Sequence, residues 1–184
     1  MQTMYLHPKN PQPRLLKQIA NALENGEIIA YPTQTGYALL THIHAKNSLD
    51  HITRIKQIAA KDHHTLLCSG ISDAANYAQI NNEQFRHIKN QIPSTTCFVL
   101  NSTKQTPKYL LTKDKIIGIQ ITDYPPVTAL LDAVNAPLII HELNQESIAV
   151  NTPDEIEEML EKQIDILVNT ETIDVQQPQI INLI

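Results

Sequence analysis

Between Glu27 and Leu39 the chain reads Glu-Ile-Ile-Ala-Tyr-Pro-Thr-Gln-Thr-Gly-Tyr-Ala-Leu. A short apolar strand passes at once into Tyr31, Thr33, Gln34, Thr35 and Tyr37, all hydrogen-bonding groups without charge. A buried strand that delivers such a row to an edge of the fold is how binding sites are built. Four histidines form a second set: His42-x-His44 puts both rings on one face of a strand, and His63-His64 follows. No carboxylate or thiol framework with ligand spacing accompanies them, so we expect ordinary surface or loop histidines and no metal. His141 and Glu142 are of the types that act as acid and base. With no partner nearby in sequence, they read as a solvent-exposed strand end. Lys104, Lys108, Lys113 and Lys115 surround a single acid, Asp114. This segment either contacts nucleic-acid phosphates with salt-dependent affinity and little sequence preference, or is a solvated loop. With two Phe and no Trp, duplex or backbone contact is favoured over stacking on single strands.

Other chemistries are excluded by what the chain lacks. The four glycines, Gly26, Gly36, Gly70 and Gly118, leave no room for a Walker loop or a dinucleotide fingerprint. There is no G-x-S-x-G elbow, and neither Cys68 nor Cys97 has a C-x-x-C partner. Both cysteines lie in apolar runs, as reduced thiols of a cytoplasmic protein do. No signal-peptide core or membrane-length apolar run occurs, so no membrane association is expected. The net charge of −5 is unevenly spread: residues 1–131 hold 13 Lys+Arg against 8 Asp+Glu, and residues 132–184 hold 1 against 11. An anion site therefore belongs to the first part of the chain.

The elements that must position these groups follow from periodicity. Helices are predicted at Pro13–Glu24, stopped by Asn25-Gly26; at Asn47–Ala60, with Asn47 and Asp50 as an N-cap pair; at Ser72–Ala78; at Asn82–Ile92, ended by Pro93; from Pro125 to about Val134; and from Pro153, where Thr152 and Glu155 make a capping box. Pro107 to Leu111 reads as a short helix. Strands are predicted at Ile28–Tyr31, Leu40–His44, Thr65–Cys68, Thr95–Leu100, Ile116–Ile121, Pro137–Ile140, Ile166–Val168 and Ile180–Leu183. Helices and strands alternate, though not strictly, and no linker interrupts them. The expectation is one α/β domain over residues 1–184, a twisted mixed parallel/antiparallel sheet with flanking helices.

In order, the chain carries the Tyr31–Leu39 motif, Lys56 near the end of the next helix, and a Pro93 turn before a Thr-rich strand. The Gly118–Ile121 strand, the Pro125 helix, a Pro-Leu strand ending near Asn144, and the Pro153 helix before Asp165-x-Ile follow. This succession resembles the YrdC/YciO family over nearly the whole chain, and His7-Pro8-x-Asn10-Pro11 looks closest to the YciO branch. The resemblance implies a YrdC-like fold and kinship to the synthesis of threonylcarbamoyl-adenylate from threonine, bicarbonate and ATP with magnesium, for tRNA modification, together with binding of a nucleotide or double-stranded RNA. It places substrate contacts at Thr33, Thr35, Tyr37, Lys56 and Asn144, and no tightly bound cofactor. The family's second cation is Ile58 here, its strand Thr is Cys97, the Gly of the preceding turn is Ser94, its strand Arg is Gln120, and its Ser-x-Asn is Glu142-x-Asn144. The glycine after the opening motif is Leu40. The chain ends at Ile184, before the segment in which longer members carry another Arg. Two cations are gone and one anion is added where a triphosphate would sit. The resemblance therefore implies weak or absent synthase activity; the alternative is an active enzyme of the parent type, or one using a less charged substrate with His141 or Glu142 as acid or base. A scaffold that serves protein partners is a third reading.

Overall fold

The computed structural model describes residues 1–58, 61–145, 148–170 and 173–184, with the backbone alone described at Asn144, Gln145, Ile148 and Ala149. Among the described residues eleven strands run in chain order as β1 (Gln2–Tyr5), β2 (Ile29–Thr33), β3 (Gly36–His42), β4 (Thr65–Leu67), β5 (Thr96–Asn101), β6 (Ile116–Gln120), β7 (Leu138–Glu142), β8 (Asn144–Gln145), β9 (Ile148–Ala149), β10 (Ile166–Asn169) and β11 (Gln179–Asn182). The helices are α1 (Pro13–Glu24), α2 (Lys46–Ile55), α3 (Ile71–Ala74), α4 (Asn82–Gln91), α5 (Pro125–Val134) and α6 (Pro153–Leu160), with a 3₁₀ turn at Lys108–Leu110. Nine strands form one mixed sheet in the order β1-β10-β2-β3-β7-β4-β6-β5-β11, and β8 pairs with β9 alone.

Both faces of this sheet are covered. Helix α1 starts on Pro13 and buries Leu16, Ile19, Ala20 and Leu23, while Gly26 takes the left-handed φ of 83° that stops it. With Val127, Leu130, Leu131 and Val134 of α5, this apolar stripe covers Tyr31, Leu40, Leu138 and Ile140 on one face of the sheet. The Tyr31 hydroxyl donates to Pro126 O at 2.5 Å, tying α5 to β2. The opposite face carries two clusters, one around Phe98, Ile119 and Ile139 and one around Tyr37, Leu39, Ile156 and Leu167.

Several boundaries differ from the sequence expectation. The stretch from Tyr31 to Leu40 is a tight hairpin, in register from Ile29↔Leu40 to Thr33↔Gly36, because Gly36 accepts a φ of 105° immediately after the turn. Helix α2 begins after Ala45 without a side-chain cap, and Asp50 instead pairs with Lys46 at 3.1 Å. It ends at Ile55, where Gln57 turns to positive φ; Ala59 and Ala60 lie outside the described residues. Helix α3 is a single turn. Strand β1, too polar and too short to show as a strand in sequence, pairs in parallel with β10. The Thr152–Glu155 capping box is present as expected. No described helix is long and apolar enough to cross a membrane.

Candidate functional site

Strands β4 to β7 meet the end of α2 and residues 175–180 around a cavity of about 630 Å³, a size usual for small-molecule sites. Its wall includes Thr65, Cys97, Gln120, His141 and Glu142 from the strands, Lys56 and Ile58 after α2, and Asp62 and His63. Gly118 makes this wall possible. A Cβ there would lie 2.5 Å from Thr65 Oγ1, 2.8 Å from Cys97 Sγ and 3.0 Å from His63 Cδ2. Gly118→Ala is therefore expected to lower stability by ~1–3 kcal/mol through overpacking, read from urea midpoints at constant slope. An unchanged midpoint would show that the three side chains yield freely.

Glu142 is the hub of one side. Its Oε1 accepts from Thr35 Oγ1 at 3.0 Å, and its backbone oxygen accepts from Lys56 Nζ. Burial pulls the Lys56 ammonium below its ordinary pKa, with the Glu142 charge opposing that shift. Thr33 Oγ1 donates to Gly36 O at 2.6 Å and accepts from Thr35 N at 3.2 Å, so the hairpin hydroxyls hold one another and then Glu142. His141 is buried, and its pKa is pushed down to about 3 by desolvation, with His64 and Lys56 adding to the shift. Its ring meets that of His64 edge-on, centroids 5.2 Å apart. Burial also pushes the Cys97 thiol up. Imidazole and thiol are thus both uncharged at neutral pH.

The side chain of Gln120, on β6, is 6% exposed and sits on the cavity wall. Its neighbours by register are Cys97 on β5 and Leu67 on β4. The remaining wall comes from the C-terminal segment. Gln34 O receives Gln176 N at 2.7 Å, and Thr95 Oγ1 donates to Gln177 O at 2.8 Å. These two bonds strap residues 175–178 across the opening before β11 joins β5 in parallel.

Of the residues singled out from sequence, Lys56 faces the cavity directly. Thr33 and Thr35 lie behind Glu142, 4% and 1% exposed. Tyr37 belongs to the core: its N donates to Val150 O at 2.6 Å and its O accepts from Leu143 N at 3.0 Å. Burial raises its phenol to about 12, tempered by hydrogen bonding with Thr170. The backbone of Asn144 starts β8, and its side chain lies outside the described residues. His141 is not at an exposed strand end as expected. Strand β7 lies between β3 and β4 and stays paired through Glu142↔Ala38, so its last residues remain inside the fold. The alternation Ile139, His141, Leu143 was the signal that His141 faces a covered side. The contributions of His64 and of the Gln34-held strap have no sequence signal. Among the described residues no group of three or more His, Cys, Asp or Glu is placed to hold a metal. Lys104, Lys108, Lys113 and Lys115 are exposed, at the end of the β5–β6 pair marked by Asn101↔Ile116, whereas the cavity lies at the Cys97↔Gln120 end.

A family model named Sua5_yciO_yrdC and described as "Telomere recombination" matches residues 21–184. YciO of Escherichia coli K12 is 37% identical over 171 residues, covering 91% of this chain and 83% of that protein. Its crystal structure superposes with a TM-score of 0.94 over 99% of this chain and 90% of that one, at 35% identity. A threonylcarbamoyl-AMP synthase of Haemophilus influenzae PittEE is 26% identical over 119 residues, 63% of this chain and 65% of that protein. The crystal structure of P. abyssi Sua5 complexed with L-threonine has the same fold, with a TM-score of 0.88 at 14% identity, over all of this chain and 54% of that one.

Proposed function

Because the chain belongs to the Sua5–YciO–YrdC family, we propose that it is a cytoplasmic ligand-binding relative of the threonylcarbamoyl-AMP synthases, with weak or absent synthase activity. The observation that carries this reading is the charge of the cavity. Among its described lining residues Lys56 is the only Lys or Arg, and Asp62 and Glu142 share the space. ATP, as a substrate with magnesium, brings a tetra-anion whose departing pyrophosphate needs several cations around it. The Glu142 carboxylate, held by Thr35, opposes that charge.

Calorimetry with ATP and magnesium, with and without L-threonine at low salt, together with a pyrophosphate-release assay, tests the reading. The expected result is weak or no ATP binding and little threonine-dependent release. Release at rates ordinary for a synthase would overturn it in favour of an active enzyme making threonylcarbamoyl-AMP.

A second reading is contact with double-stranded RNA or tRNA through the exposed Lys104, Lys108, Lys113 and Lys115. What supports it is their shared exposure at one end of the β5–β6 pair, away from the acidic residues of the cavity. Binding of this kind is backbone-directed and salt-sensitive. Lys108→Glu is expected to weaken binding to an RNA duplex several-fold and raised salt to abolish it; affinity indifferent to both would exclude this surface.

A further inference from the structure

His64 Nδ1 and His141 Nε2 are buried side-chain atoms without a hydrogen-bond partner among the described residues. A polar atom left so inside a fold is costly unless something from outside the chain meets it. The two atoms belong to one place. The antiparallel register that sets Thr65 opposite Ile140 sets His64 opposite His141 one step further out, so both rings rise from the same face of neighbouring strands. They meet edge-on with centres 5.2 Å apart. Two imidazoles that share one tetrahedral ion at the usual ~2.0–2.1 Å hold their ring centres about 5 Å apart. Burial keeps both rings uncharged at neutral pH, so each retains a lone pair. By the alternation of the strands, Thr65 and Glu142 point to the opposite face of the sheet. His141 also lines the cavity, which gives an ion a way in.

We infer that His64 and His141 form a cross-strand chelate for a borderline transition-metal ion of the Zn²⁺ class, at a site separate from the floor of the cavity. Imidazole suits ions of this kind, whereas magnesium and calcium take oxygen ligands. Two protein ligands make an open site, whose other positions go to water. The pair has no thiolate or carboxylate beside it on its own face, and Lys56 opposes positive charge on His141. Affinity is therefore set in the micromolar range rather than at the strength of a closed site with four ligands. His42 and His44 do not form an equivalent pair. His42 Nδ1 accepts from His44 N at 3.2 Å, which leaves the ring proton on Nε2, the nitrogen an ion would need.

The probes are Zn²⁺, followed by calorimetry, and Co²⁺, followed by its visible ligand-field absorption. Each is added to the full chain, to His64→Phe, to His141→Leu and to a control carrying both His42→Ala and His44→Ala. Thermal unfolding of each variant establishes that it is folded, and ring-nitrogen NMR of the unaltered chain reads the same site without a substitution. The expected result is uptake of a single equivalent at micromolar concentration, with the ring signals of His64 and His141 moving together. His64→Phe and His141→Leu should each lose about tenfold or more in affinity, and the control should keep it. No uptake at millimolar Zn²⁺ overturns the inference, as does equal uptake in His64→Phe and His141→Leu. Ring shifts confined to other histidines, or cobalt bands showing a thiolate ligand, place the ion elsewhere and overturn it too.

Discussion

The double variant Gln120→Arg, Glu142→Ser is expected to bind ATP about a hundredfold more tightly than the parent chain. Each charge-assisted contact to a phosphate is worth ~1.5–3 kcal/mol, and a decade in affinity corresponds to about 1.4 kcal/mol. The exchange adds one such contact and removes one repulsion. Both side chains line the cavity that Lys56 enters, so the new guanidinium and the existing ammonium would face the same phosphates. An arginine suits this place better than a lysine because its planar fork engages phosphate oxygens two at a time. The change also has a cost. Gln120 is buried, and an arginine there without ligand is an uncompensated charge, so the unliganded variant should unfold at lower urea. Thr35 keeps its contact with Thr33 at 3.2 Å when Glu142 is gone, so the hairpin survives. Calorimetry at low ionic strength reads the gain, and the gain should shrink as salt is added. If ATP binds the double variant no better than the parent, then charge is not what limits the site, and the account of its weak phosphate grip falls.

The second large effect is on stability in mild acid. His141 is 9% exposed and titrates at about 3, well below the ordinary imidazole value near 6.5. The folded state thus refuses a proton that the unfolded chain accepts. Between those two values the unfolded state binds more protons, so the stabilisation is complete above about pH 6.5 and is lost as pH falls toward 3, at about 1.4 kcal/mol per pH unit for this group. His64, shifted in the same direction by burial and by His63, steepens the same limb. The titratable groups that act on His141 are His64, whose ring meets it edge-on, and Lys56, and both oppose its protonation. Urea unfolding at pH 7 and pH 5 should differ by ~2 kcal/mol or more, and His141→Leu should remove most of that difference. A variant as acid-sensitive as the parent would place the linkage elsewhere, with His64 the first alternative.

How far the sequence reads into this structure depends on which physical signal each residue carries. Periodicity alone gives α1, α5 and α6, because their apolar stripes and capping residues act locally: Pro13, Pro125 and the Thr152–Glu155 box start these helices. Strand β1 is invisible because its pairing with Asp165–Asn169 is a purely long-range event in a polar segment. The opening stretch was singled out, but as a row of ligand-facing groups after a short strand, and its pairing as a hairpin was not read. Its hydroxyls are instead spent on each other, on Gly36 and on Glu142. Lys56, Gln120 and Glu142 were legible by their place in the resemblance, and they do meet in one cavity. The burial of His141 was signalled only by the alternation Ile139, His141, Leu143, and what covers it became readable only with the neighbouring strands and their register. His64 and the Gln34–Gln176 bond lie further still from any local pattern.

Residues 175–182 are at once a wall of the cavity and the last strand of the sheet, held by one ladder to β5 and by bonds to Gln34 and Thr95. Edge segments with exposed side chains open far more often than the core they adjoin. Amide exchange along β11 therefore acts as a gauge of the site: a ligand resting on this wall slows it, and whatever peels the strand from β5 weakens the ligand's binding by the same free energy. Occupancy and the edge of the sheet are two readings of one equilibrium.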